Sequence, residues 1–172
     1  SASIEEMARA AASRGLEYIA ITDHTKALTI GTGLDEKRIV KQWAEIDLVN
    51  TTLKASGVKL RVLKGTECDI LKDGSLDLPD EILAELEVVG VSIHMRFSKL
   101  SRKEQTERLI RAMENPYVHI LFHPTGRIVG KRPPYDVDME ALVKAAKRTG
   151  TVLEANASER LDLKDEYIRM CV

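Results

Sequence analysis

The sequence predicts an α/β fold built on a parallel sheet. Helical segments and short apolar runs alternate about five times along the 172 residues. Strands separated by helices at this spacing pair in parallel, because only a crossover can return the chain to the same edge. No linker and no low-complexity stretch interrupts the pattern, so residues 1–172 read as a single domain.

Each element has a local cause. Ser3-x-x-Glu6 is a capping box and Gly15 a helix stop, with Met7, Ala8, Ala11 and Ala12 at helical spacing between them. Residues 16–22 form an apolar run that reads as a buried strand. Residues 35–56 read as a long helix with Ile39, Trp43, Ile46, Val49 and Leu53 on one face, closed by Gly57. Residues 58–63 are the next strand. Asp73-Gly74, between apolar pairs, signals a hairpin, and Pro79 opens a short helix through Leu83. Residues 88–92 are strand-like. Ser101-x-x-Glu104 caps a helix that runs to Met113 and ends at Asn115-Pro116. A strand over 118–122, a helix over 138–148 stopped at Gly150, a strand over 151–155 and a helix from Asp165 complete the chain. Two architectures fit: an open doubly wound sheet, or a closed or incomplete β/α barrel. No phosphate-binding glycine fingerprint follows any strand, which weighs against the dinucleotide-binding arrangement.

Composition excludes several classes. The formal net charge is −1, so no global basic field attracts nucleic acid, and any DNA contact needs a local patch. No apolar run reaches the roughly 18 residues of a membrane span, and the first residues lack the basic-then-apolar pattern of a signal peptide. The two cysteines, Cys68 and Cys171, lie far apart, which predicts a reducing cytoplasm rather than a disulfide framework. Cys68 reads as a small buried apolar residue. One Trp and two Phe leave little for stacking on single-stranded bases, and Trp43 reads as core.

The residues able to do chemistry share one kind of position. Asp23-His24 follows the first strand, Glu67 the second, His94 the third and His123 the fourth. In parallel β/α folds these strand ends meet on one face, where active sites form. Imidazole and carboxylate donors together suit Zn²⁺, Mn²⁺ or Fe²⁺, and several in one place suit hydrolysis assisted by more than one ion. Asp23 reads equally as a ligand, a partner orienting a histidine, or a turn residue. His119, the fourth histidine, lies at the start of its strand and points to the opposite rim, as a structural or exposed residue. Arg127 and Arg132, on the loop after His123, and Arg96, two residues after His94, are candidate phosphate-binding groups. Lys131 reads as solvated, and Gly31-Thr32-Gly33 as a mobile rim loop rather than a phosphate loop.

Together these segments resemble a known family. Residues 20–24 (Ala-Ile-Thr-Asp-His), 65–67 (Gly-Thr-Glu), 91–94 (Val-Ser-Ile-His) and 122–124 (Phe-His-Pro) are similar to successive motifs of PHP (polymerase and histidinol phosphatase) domains. Residues 29–35, 98–108, 123–127 and 160–163 narrow the resemblance to the domain found in bacterial and archaeal family X DNA polymerases. The resemblance covers roughly residues 3–170. It implies a distorted seven-stranded β/α barrel with a trinuclear Zn²⁺ or Mn²⁺ site. By the same resemblance Glu67 bridges two ions, His94 and His123 hold one of them, and His24 belongs to the third. The family's first strand with its His-x-His pair and its late Asp-x-His motif have no counterpart here. The barrel is therefore expected to be incomplete, a fragment that holds fewer ions than the full site or none, is inactive by itself, and has an unpaired strand edge that invites dimerisation.

The activity this implies is phosphodiester hydrolysis at DNA 3′ ends, in the manner of a 3′–5′ exonuclease acting in repair, with an N-terminal polymerase domain as neighbour in the same chain. Glu67 and Arg127 are the expected catalytic groups. The alternatives are a stand-alone phosphatase for a small phosphomonoester, such as histidinol phosphate, and a non-catalytic scaffold that supports a polymerase or binds DNA.

Overall fold

In a computed structural model of the chain, residues 2–27, 33–95 and 100–172 are described. The element order is α1 (Ile4–Ser13), β1 (Tyr18–Ile21), α2 (Glu36–Ala55), β2 (Arg61–Asp69), α3 (Asp80–Leu83), β3 (Val88–Ser92), α4 (Arg102–Met113), β4 (Ile120–Leu121), α5 (Met139–Thr149), β5 (Val152–Leu153) and α6 (Asp165–Cys171).

The caps read from sequence form as expected. Ser3 with Glu6 and Ser101 with Glu104 make reciprocal capping boxes on α1 and α4. Asp35 and Asp138 accept from backbone amides of α2 and α5, and Gly150 ends α5 in the left-handed conformation. These contacts satisfy amides that a helix leaves orphaned at its start. The Asp73-Gly74 turn is present, with Gly74 bonded back to Leu71 and an antiparallel bridge between Ile70 and Leu76.

All four strand pairings are parallel, in the order β1-β2-β3-β4-β5. A doubly wound sheet reverses its strand order at a switch point. This order does not reverse, so each crossover adds its strand on the same side, as in a segment of a β/α barrel. Among the described residues β1 and β5 are the two ends of the sheet. Tyr18 on β1 and Val152 on β5 are 65% and 60% exposed.

The second strand departs from expectation. The apolar run over 58–63 predicted a strand ending before Lys64, with Glu67 beyond it; instead β2 continues to Asp69 and contains Glu67. Its first half pairs with β1 and its second half with β3, so the strand changes partner at Gly65. A Cβ on Gly65 would lie 2.9 Å from the Ile21 carbonyl oxygen and 3.0 Å from that of Val88. Only glycine lets the three backbones approach there. Apolarity alone missed the extension, because the ladder rather than the side chains holds residues 64–67 in line. The predicted strands at 118–122 and 151–155 shrink to two residues each.

Two apolar clusters hold the layers together. One joins α1 and α2 to β1 and β2 through Ala8, Ile21, Ile46, Leu53 and Val62. The larger one packs α4 and α5 on β3 and β4 through Leu109, Met113, Leu142, Val89, Val91 and Leu121. Trp43 packs against the larger cluster and Cys68 is fully buried, both as the sequence implied.

Candidate metal centre

Parallel strands deliver their C-terminal ends to one rim, and the ligand-type residues arrive there together. His24 lies three residues past β1 and is joined to Glu67 by a parallel bridge. His94 and His123 each stand two residues past the ends of β3 and β4.

Glu67 is the centre of the group. Its Oε1 lies 2.9 Å from His123 Nε2 and 3.3 Å from His94 Nε2, and its Oε2 lies 3.6 Å from His24 Nδ1. The rings of His24 and His94 stand edge to face at 4.6 Å, and those of His94 and His123 at 5.6 Å. The group that fits one ion is His24, Glu67 and His94, whose ligand atoms lie within 4.8 Å of one another. The resemblance pairs His94 with His123 instead; here His123 makes its contact through the same Glu67 oxygen that faces His94.

The electrostatics are those of a partly buried charge among imidazoles. Burial raises the Glu67 pKa, but hydrogen bonds from His123 and His94 outweigh it and hold the carboxyl well below the usual carboxylate range. Burial lowers the His94 pKa, yet its bonds to Asp69 and Glu67 lift it to about 9.

The residues present fit a divalent cation. His24 Nδ1 is buried without a hydrogen-bond partner, since 3.6 Å from a carboxylate oxygen is too long for one. A buried ring nitrogen left unpaired beside a carboxylate and a second imidazole is what a cation would satisfy. The nitrogen and oxygen donors match the preferences of Zn²⁺ and Mn²⁺.

Two residues that the sequence reading passed over belong to this rim. Asp69, at the end of β2, is 3% exposed and its Oδ1 lies 3.0 Å from His94 Nδ1. Its signal was the Glu67-x-Asp69 spacing, because alternate residues of a strand share a face. Glu154, just past β5, accepts from the His123 backbone amide at 2.6 Å. That bond holds His123 at φ 30°, a left-handed backbone unusual for a non-glycine residue.

The remaining candidates make other contacts. Among the described residues Asp23 makes no hydrogen bond to a histidine; its carboxylate accepts from the Gln42 side chain, while its carbonyl accepts from the Glu67 amide at 3.0 Å. Arg127 donates from Nε to the Arg160 carbonyl at 2.8 Å and from Nη2 to the Leu161 carbonyl, and so anchors the 160–163 loop. Arg132 donates to the Gly126 carbonyl at 2.8 Å. Lys131 is exposed and paired with Glu159 at 2.9 Å. His119 accepts from the Val89 amide through Nδ1 at 3.0 Å, at the start of β4 and away from the rim, as expected. Arg96 and most of the Gly31-Thr32-Gly33 turn lie outside the described residues.

No protein-family model matches the chain. It is 42% identical to the DNA polymerase/3′-5′ exonuclease PolX of Bacillus subtilis over 167 residues, 96% of the chain and 28% of that relative. It is 35% identical over 171 residues to a probable phosphatase of Caldanaerobacter subterraneus subsp. tengcongensis, covering 98% of the chain and 61% of the relative. It is 32% identical over 155 residues to a probable phosphatase of Acetivibrio thermocellus, covering 89% of the chain and 58% of the relative. The chain therefore spans less than two thirds of these curated relatives. No described helix is long and apolar enough to cross a membrane.

Proposed function

We propose that this chain is a PHP-type phosphoesterase domain of a family X DNA polymerase, which hydrolyses phosphodiester bonds at DNA 3′ ends with divalent cations. The observation that carries this reading is the convergence of three imidazoles on one carboxylate, at 2.9 Å, 3.3 Å and 3.6 Å, at the C-terminal rim of a parallel sheet. The 42% identity to the exonuclease relative supports DNA as the substrate.

In this reading His24, Glu67 and His94 hold a Zn²⁺ or Mn²⁺ ion, and His123 completes the donor set around Glu67. Such ions supply Lewis acidity toward a phosphoryl oxygen and activate water. Glu67 keeps its charge when the site is empty, because the imidazoles hold it ionised. Glu154 fixes the backbone of His123, so the imidazole meets Glu67 at one orientation. Arg127 and Arg132, on the loop after His123, serve as phosphate-binding groups, their side chains steadied by backbone carbonyls. The seven-stranded barrel extends the five-stranded order seen here.

The relatives called probable phosphatases favour a second reading, a stand-alone phosphatase acting on a small phosphomonoester. The test offers the polypeptide carrying this sequence a 3′-labelled oligonucleotide and a small phosphomonoester in parallel, with Mn²⁺. Release of 3′ nucleotides, abolished by Glu67→Ala, is the expected result. Hydrolysis of the monoester alone selects the second reading. Cation binding without hydrolysis of either overturns both, and nuclease activity that survives Glu67→Ala overturns the role of Glu67.

A further inference from the structure

Asp69 is a buried carboxylate for which the reaction so far has no use. Burying an anion is costly unless it is paired and hydrogen-bonded. Its Oδ1 lies 3.0 Å from His94 Nδ1, and its amide donates to Thr25 Oγ1 at 3.1 Å. Its Oδ2 has no hydrogen-bond partner among the described residues, so the contact to His94 is the carboxylate's compensation. The other ring nitrogen of His94, Nε2, lies 3.3 Å from Glu67 Oε1.

When a cation takes the Nε2 side of the ring, the Asp69 contact fixes where the remaining proton sits. An ionised carboxylate only accepts, so the Nδ1 contact requires hydrogen on Nδ1. Ser92 Oγ, 3.2 Å from the same nitrogen, can share that hydrogen as a second acceptor. A neutral imidazole with hydrogen on Nδ1 carries its lone pair on Nε2, the atom beside Glu67.

We propose that Asp69 is a positioning residue that holds the His94 proton on Nδ1 and so presents the Nε2 lone pair to a divalent cation beside Glu67. The Asp69 side chain thereby also steadies the segment after β3 that carries His94, while its backbone amide separately holds Thr25, the residue next to His24. This rests on the metal reading above. Carboxylates and carbonyls bonded to metal-bound histidines fix tautomer and ring orientation, and losing one costs roughly 10–100-fold in metal affinity.

The test has two parts. The first is a long-range ¹H–¹⁵N correlation spectrum of the ¹⁵N-labelled chain with Zn²⁺, which reads the His94 tautomer directly. The second is Zn²⁺ and Mn²⁺ affinity by chelator competition for the parent chain, Asp69→Asn and, as benchmark, Glu67→Ala. Asparagine can turn its amide N–H toward Nδ1 and select the opposite tautomer. The expected result is hydrogen on Nδ1 in the parent and a roughly 10–100-fold loss of affinity in Asp69→Asn with its circular dichroism retained. Hydrogen on Nε2 in the metal-loaded parent, or parental affinity in Asp69→Asn, overturns the role of Asp69 while leaving the metal reading intact. A parent chain that binds neither cation overturns the metal reading and this inference with it. If Asp69→Asn does not fold, the parent's tautomer decides alone.

Discussion

Glu67→Gln keeps the shape of the central side chain and removes its charge. The Glu67 side chain is 16% exposed and faces imidazoles at 2.9 Å, 3.3 Å and 3.6 Å. In the metal-free chain its effect on stability is set by two titrations. The carboxyl's folded pKa is depressed, so its contribution is complete above the unfolded value of 4.5 and is lost as pH falls through the folded one. The His94 pKa is raised, so its contribution is complete below 6.5 and is lost as pH rises through about 9. Both are whole between those unfolded values, which makes about pH 6 the place to compare variants. Two charge-assisted hydrogen bonds, to His123 and His94, are each worth about 1.5–3 kcal/mol. Asp69 still balances His94 in the variant, which halves that sum to about 1.5–3 kcal/mol. At roughly 2–4 °C per kcal/mol for a domain of this size, melting should fall by roughly 3–12 °C in the presence of chelator. Mn²⁺ should raise the melting temperature of the parent by mass action and leave Glu67→Gln unchanged. A variant that melts within about a degree of the parent in chelator, and responds equally to Mn²⁺, would refute the reasoning.

Two further substitutions separate the scaffold from the site. Arg108, 4% exposed on α4, donates to the carbonyls of Ile70, of Leu71 at 2.8 Å and of Met95 at 3.3 Å. Arg108→Met removes the donor to three carbonyls on the segments after β2 and β3, that of Ile70 buried, and should cost roughly 3 kcal/mol in urea denaturation. His119→Ala removes one acceptor at the start of β4. It should cost about 1 kcal/mol in the same assay while leaving Mn²⁺ and Zn²⁺ affinity at the parental value. A fall in affinity there would break the distinction between His119 and the three rim histidines.

What the sequence determined by itself was local or periodic. Capping boxes at Ser3 and Ser101, the stop at Gly150 and the alternation of helices with apolar runs are written within a few residues of one another. Helix ends and the order of the strands could therefore be read directly, though not the strand limits. The placement of His24, Glu67, His94 and His123 at one rim also followed, because parallel strands send like ends to like places. The tertiary structure decided what depends on contact across the sheet. The continuation of β2 past Gly65 rests on backbones of β1 and β3 that approach too closely for any side chain. Asp23 turns to Gln42 and Arg127 to the carbonyls of Arg160 and Leu161, choices that no spacing encodes. Asp69 and Glu154 join the site only because residues 25 and 31 positions away in sequence, His94 and His123, fold against them. A strand announces which face a side chain takes, but its partner on that face comes from another strand, and only the packed sheet brings the two within hydrogen-bonding distance.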